Sequence, residues 1–211
     1  MNNMSIYKKA QNGKAILTIE YDSDAMCPRF ESEHLGSMVF WHGRYNLGDK
    51  HRYKDGNDFF ITLLKEMGRT EKTLCRVDSR KNLFEVLEKH YVILPVYLYD
   101  HGSLTISTTP FQCPWDSGQI GWIYVSNKKI REEYNVKRVS KKLRFQVLSH
   151  LQLEVEIYDH YLRGDVYSFI LKDLDGEIID SGDGFYGSNP HTNGIAECIS
   201  SEYEDLIKEI A

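Results

Sequence analysis

Long apolar runs are missing. Nowhere in the 211 residues is there a stretch approaching the roughly 18 apolar positions that cross a bilayer, so no membrane partner is expected. Residues Met1 to Asn12 are polar, carry Lys8 and Lys9, and have no apolar stretch behind them. That is unlike a secretory signal, and the expectation is an unprocessed cytoplasmic protein. Cysteine is scarce: Cys27, Cys75, Cys113 and Cys198 stand far apart and form no C-x-x-C pair. Familiar zinc spacing is therefore absent, and four free thiols are expected. Neither a Walker A loop nor G-x-G-x-x-G occurs, so no nucleotide motif is present and no cofactor or metal is expected. No repeat or low-complexity segment stands out. Strong net charge is absent too, at −5, while 41% of residues are hydrophobic and 27% charged. That balance excludes global disorder and suits a soluble globular protein.

The small net charge hides a split. From His150 to Ala211 there are 14 Asp/Glu against 3 Lys/Arg, a balance of −11. The rest of the chain carries +6, densest from Lys128 to Arg144, where 8 Lys/Arg meet only Glu132 and Glu133. Such runs are commonly solvated helix faces. The sharper reading is a pair of partner surfaces, an acidic face for a basic groove or a basic strip for phosphates.

Periodicity predicts strands at Ala15–Tyr21, Ser37–Trp41, Leu104–Thr109 and Ile120–Val125. Asp22–Ser32 reads as a loop. Asp58 is expected to cap a helix carrying Phe60, Leu63, Leu64 and Met67, ended by Gly68. Ser79 is expected to cap a short helix after a polar loop, Arg69–Asp78. Val92–Tyr99 is apolar on both faces and suits a central strand, but Pro95 calls for an edge or a bulge there. Ser126 should cap a helix to about Tyr134. Ser140 begins the longest helix, with Leu143, Val147, Leu151, Val155, Tyr158 and Leu162 as one apolar stripe and Gly164 as its stop. Asp175-Gly176 marks a hairpin. Gly182–Gly194 reads as a loop, followed by one last helix using Ile195, Ile199, Tyr203, Leu206 and Ile210. The expected class is α+β: a single domain over 1–211, with a mainly antiparallel sheet packed against a long helix and a flexible N-terminus over 1–14.

Three turn-rich stretches combine large aromatics with polar groups: Trp41–Asp49, Tyr99–Gly102 and Phe111–Gln119. Such loops commonly cover the edge of a core. As a recognition surface, they offer Trp41, His42, Arg44, Tyr45, Asp49, His101, Trp115, Asp116 and Gln119 as binding residues. A nucleophile reading assigns the thiol to Cys113, the base to His101 or His42, and the orienting carboxylate to Asp116 or Asp100. Cys113 precedes Pro114 and so does not sit at a helix N-terminus, which weakens that reading. A metal set of His42, Asp49, His51 and His101 lacks any supporting register. At the end of the long helix, Glu154, Tyr158, Asp159, Tyr161 and Asp165 could form a phosphate-mimicking face. The plainer reading is a solvated helix end with tyrosine bodies over the core.

The strings SMVFWHGRYNLGD, LPVYLYDHGSLTIST, PFQCPWDSGQIGWIYVS and GDVYSF…GFYG resemble a family of accessory proteins from phages and mobile elements of Firmicutes and gut bacteria. The resemblance runs from about Leu35 to Gly187, and Cys113–Ser126 is its most specific part. It implies an anti-defence role, the family including anti-CRISPR inhibitors of Cas9-type nucleases, and it carries over no catalytic residue. Gly182-Asp183 stands where a Cys-Trp pair is expected, and Gly68–Asn82 is longer than usual. The expected function is non-enzymatic inhibition of a host defence nuclease, with nucleic acid reached through that partner. Two alternatives remain. One is a cysteine hydrolase or nucleotide-modifying enzyme built on Cys113, His101 and Asp116. The other is a direct nucleic-acid binder using Lys128–Arg144.

Overall fold

The computed structural model describes residues 6–31, 33–68 and 80–210. Cys75, Ser79 and the polar stretch Arg69–Asp78 lie outside them. The fold is α+β. Its strands pair antiparallel throughout, in two four-stranded sheets. Each sheet belongs to one of two compact units: Met1–Glu31 with Ile157–Ala211, and Ser32–Glu156. No described helix is long and apolar enough to cross a membrane.

In the first unit, β1 (Ile6–Gln11) and β2 (Ala15–Tyr21) form a hairpin, and β2 pairs with β7 (Val166–Asp173), which pairs with β8 (Ile178–Tyr186). The expected flexible N-terminus is thus corrected from Ile6 onward, because those residues pair along β2 and Ala10 enters the core. Alternation sends Leu17, Ile19, Phe169 and Leu171 to one face. There they pack with Ile195, Ile199, Leu206, Ile207 and Ile210. The helix bearing those residues is not continuous: α6 (Ile195–Cys198) ends as Ile199 and Ser200 turn extended, and a 3-10 turn leads into α7 (Glu204–Ile210). β8 also runs farther than the sequence suggests, to Tyr186, with two register shifts against β7.

The second unit holds the sheet β3-β6-β4-β5, from Ser37–Phe40, Ser117–Ser126, Tyr91–Asp100 and Leu104–Ser107. Pro95 sits opposite Trp122 of β6. β5 covers only Tyr97–Asp100, so β4 is an edge where the proline lacks its N–H, and a bulge follows between Val96 and Tyr97. Both features that Pro95 calls for are present. The loop before β3 contains a one-turn helix, α1 (Pro28–Glu31), in the stretch expected to be irregular.

On one face, α2 (Gly56–Glu66) and α3 (Arg80–Leu87) bury Phe59, Phe60, Leu63, Leu64 and Leu87 against Val39, Tyr91 and Ile93. The cap of α2 is Asp55, whose carboxylate accepts from the Asn57 and Asp58 N–H groups. Asp58 stands in the first turn instead and accepts from Lys54 N–H. On the other face, the side chains of Leu151 and Ile123 crowd the open side of Gly36. Ser126 and Ser140 cap α4 (Asn127–Glu133) and α5 (Lys141–Arg163), accepting from Lys129 and Leu143 N–H at 3.1 Å each. α5 stops at Gly164, whose φ of 72° is the left-handed conformation that glycine adopts freely. α5 belongs to this unit up to Glu156 and to the other from Ile157.

Candidate functional site

The sheet brings the three odd loops to one end, where β3 and β4 finish and β6 begins. Trp41 N–H donates to Ile120 O at 2.8 Å, and Asp100 N–H donates to Asp116 O at 2.9 Å. These two bonds tie each loop to the start of β6. Side chains extend the ties. Arg44 Nη2 donates to Asp100 Oδ2 at 3.1 Å, and its guanidinium lies 5.7 Å from the Tyr45 ring. His42 Nδ1 accepts from the Arg44 and Tyr45 N–H groups at 3.3 Å each, and its ring stacks on Tyr45 with 10° between planes. That acceptor role leaves the proton of the neutral ring on Nε2.

Cys113, His101 and Asp116 do come together, in an order that matters. Asp116 Oδ2 lies 3.1 Å from His101 Nδ1 and 3.8 Å from the Cys113 thiol. The carboxylate stands between thiol and imidazole. A cysteine nucleophile needs the base against sulfur and the carboxylate behind the base. Here the thiol donates to the carboxylate, which suits a loop staple, as does the Ser117 hydroxyl donating to Cys113 O. At the tip of this loop Trp115 is 91% exposed.

The other loop residues are mostly structural. Asp49 accepts from Met38 N–H at 2.9 Å and donates its own N–H to Met38 O at 2.9 Å, closing the turn onto β3. Trp41 donates to Tyr53 O at 3.1 Å and meets His51 and Trp122 edge-on. It shares with Phe60 and Trp122 an apolar wall of an open cleft of about 620 Å³, whose polar groups include Lys54, Asn57 and Gln119. Sequence reasoning missed Lys54, Asn57 and Trp122 here. The alternation of Trp122 with Tyr124 along β6 is the signal that puts both on the helix-covered face. His51 Nε2 donates to Phe40 O at 2.9 Å. Among the described residues no three His, Cys, Asp or Glu side chains are placed to hold a metal ion.

The acidic group expected near the end of α5 requires correction. Glu154 is 8% exposed and accepts from Leu35 N–H at 2.9 Å and Gly36 N–H at 3.0 Å, with His150 Nε2 3.3 Å away. Asp159 is equally buried, and Arg163 pairs with it at 3.4 Å and with Asp165 at 2.7 Å. Tyr158 is buried and stacks on Tyr161. Burial and pairing hold all four away from a partner-facing role. The acids that do face solvent include Glu197, Glu202, Glu204, Asp205 and Glu209 toward the C-terminus, and Asp175, Glu177, Asp180 and Asp183 on the β7–β8 hairpin. Exposed Leu174, Ile178 and Ile179 lie among them.

No protein-family model, curated protein or solved structure matches the chain. The functional reading therefore rests on the residues themselves. At the loop cluster they offer an exposed indole, a stacked His42–Tyr45 pair and an exposed guanidinium, all on backbone tied across three loops. Such a surface offers large amphipathic contact area from Trp, Tyr and Arg side chains, the residue types that commonly anchor protein interfaces.

Proposed function

We propose that this chain is a non-enzymatic binding protein whose principal contact is the loop cluster around Trp115. One observation carries the reading: an almost fully exposed indole stands between Cys113 and Asp116, on a loop stapled to its neighbours through Asp116. Exposure of that area has no structural benefit, whereas Trp, Tyr and Arg are the usual anchors of protein interfaces. The partner we propose is a host defence nuclease of the Cas9 type, in keeping with the resemblance carried by Cys113–Ser126. Such nucleases hold their duplex in positively charged channels. The solvent-facing acids of the β7–β8 hairpin would favour approach to a surface of that sign. Nucleic acid would then enter through the partner, and the site of action we propose is the cytoplasm of a bacterial host.

The test is titration of a purified Cas9-type nuclease. Inhibition is expected to be stoichiometric. Trp115→Ala is expected to weaken it at least tenfold, and Cys113→Ser to stay within a few-fold. Substoichiometric action, or a hundredfold loss on Cys113→Ser with the fold intact, would establish the cysteine-dependent enzyme in its place.

A further inference from the structure

The basic strip Lys128–Arg144 separates into cations with structural work and cations without. Lys129 Nζ donates to His34 O at 2.6 Å, and Arg144 Nη2 donates to Tyr91 O at 2.9 Å. Lys128 lies 3.9 Å from Glu132. Lys137, Arg138, Lys141 and Lys142 are different. All four are exposed, and none has an ion pair or side-chain hydrogen bond among the described residues. No acidic residue occurs from Tyr134 to Leu153, so the nearest acids along the chain are Glu133 and Glu154. Lys141 and Lys142 precede Phe145 by four and three positions on α5, which sets all three on one helix face. Phe145 is 70% exposed, while Leu143, Val147 and Leu151 carry the buried stripe of the same helix. Neither stability nor packing accounts for this face. Cations in the first turn oppose the helix dipole, and an exposed phenylalanine adds nothing to the core.

We propose that this face binds single-stranded nucleic acid, the four cations lying against successive phosphates and Phe145 stacking on a base. The sign of the patch selects a polyanion. Phe145 selects among polyanions, because a duplex hides its base faces whereas a single strand presents them to an aromatic ring. The residues are separate from the Trp115 cluster, so this contact stands or falls independently of the protein-binding reading.

The experiment is fluorescence anisotropy of a labelled single-stranded dT20 oligonucleotide against the full chain, over a salt series. Binding is expected, with a log–log salt slope near −3, from about four phosphates at about 0.7 each. The double change Lys141→Gln with Lys142→Gln should flatten the slope by about 1.4. Phe145→Ala should weaken dT20 binding about fivefold or more and leave the slope and weak duplex binding unchanged. Lys50→Gln, exposed in the loop after β3, should change nothing, and circular dichroism should show every variant folded. Absence of dT20 binding at low salt would overturn the proposal. So would an equal loss with Lys50→Gln, or retention of full affinity by Phe145→Ala. If dT20 failed to bind while vesicles containing phosphatidylserine did, an anionic membrane surface would be the ligand and the proposal would again be overturned.

Discussion

Leu151 has none of its surface exposed, and its side chain reaches the point where Gly36 and Ile123 meet. Leu151→Ala should cost about 2–5 kcal/mol in urea unfolding, and Val155→Ala somewhat less, because a cavity is left in a packed layer. The 4-4-4 spacing from Leu143 makes that stripe legible in the sequence. Glu154 was open to the same reasoning, three positions after Leu151 on the same face, but a carboxylate attracts a functional interpretation. Its partners are two backbone N–H groups from a loop more than a hundred residues away, a pairing no local pattern encodes. Glu154→Ala should therefore destabilise the protein by about 1–3 kcal/mol for each donor left unsatisfied. Glu154→Gln keeps one acceptor oxygen and should cost less. Equal loss for the two, measured in the same denaturant series, would mean that the donors find other partners.

Elements defined by short-range chemistry were legible: the Ser126 and Ser140 caps, the Gly164 stop and the strand at Ala15–Tyr21 all stand where residue type puts them. Elements decided by tertiary contact were not. Ile195 to Ile210 has a helical period, yet the chain breaks at Ile199 and Ser200 so that Ile195 and Ile207 can both reach the sheet core. Asp58 resembles a cap as closely as Asp55 does, and only the fold chooses between them. The sheet of the second unit also carries a pH dependence that composition does not reveal. Burial is the main cause that pushes the Tyr91 and Tyr124 phenols far above their ordinary value, with added hydrogen bonds to Glu66 and Tyr53 respectively. A folded pKa above the unfolded value of 10.0 means that the folded state holds the proton more tightly. The stability gained is complete below pH 10 and is lost as pH rises beyond it. Alkaline titration followed by phenolate absorbance should show these two tyrosines ionising only with unfolding. Tyr124→Phe should move that unfolding to higher pH; an unchanged midpoint would assign the alkaline transition to other groups.

At the scale of the whole molecule, the −11 of the C-terminal stretch was visible in the sequence, but its location was not. Helical spacing drew attention to Glu154, Asp159 and Asp165, of which two are buried and two are paired with Arg163. Reversing those three should unfold the protein instead of retuning its binding. Part of the charge open to solvent is on the hairpin, at Asp175, Glu177 and Asp180, where substitution leaves the core intact. Exposed charge acts mainly on encounter, whereas dissociation answers to the buried contacts of the interface. Reversing these three acids to lysine should therefore slow association with a basic nuclease while leaving its dissociation rate near the original. The effect should be large at low salt and shrink as the Debye length falls to about 8 Å near 0.15 M ionic strength. Trp115→Ala should do the opposite, speeding dissociation with little change in association. The control reverses Lys137 and Lys141, avoiding Lys129 because its ammonium anchors His34 O. If that control abolished association and the hairpin reversal had no effect at any salt, attraction of the acidic hairpin by a basic partner would be wrong, and the basic face of α5 would be the surface that meets the target.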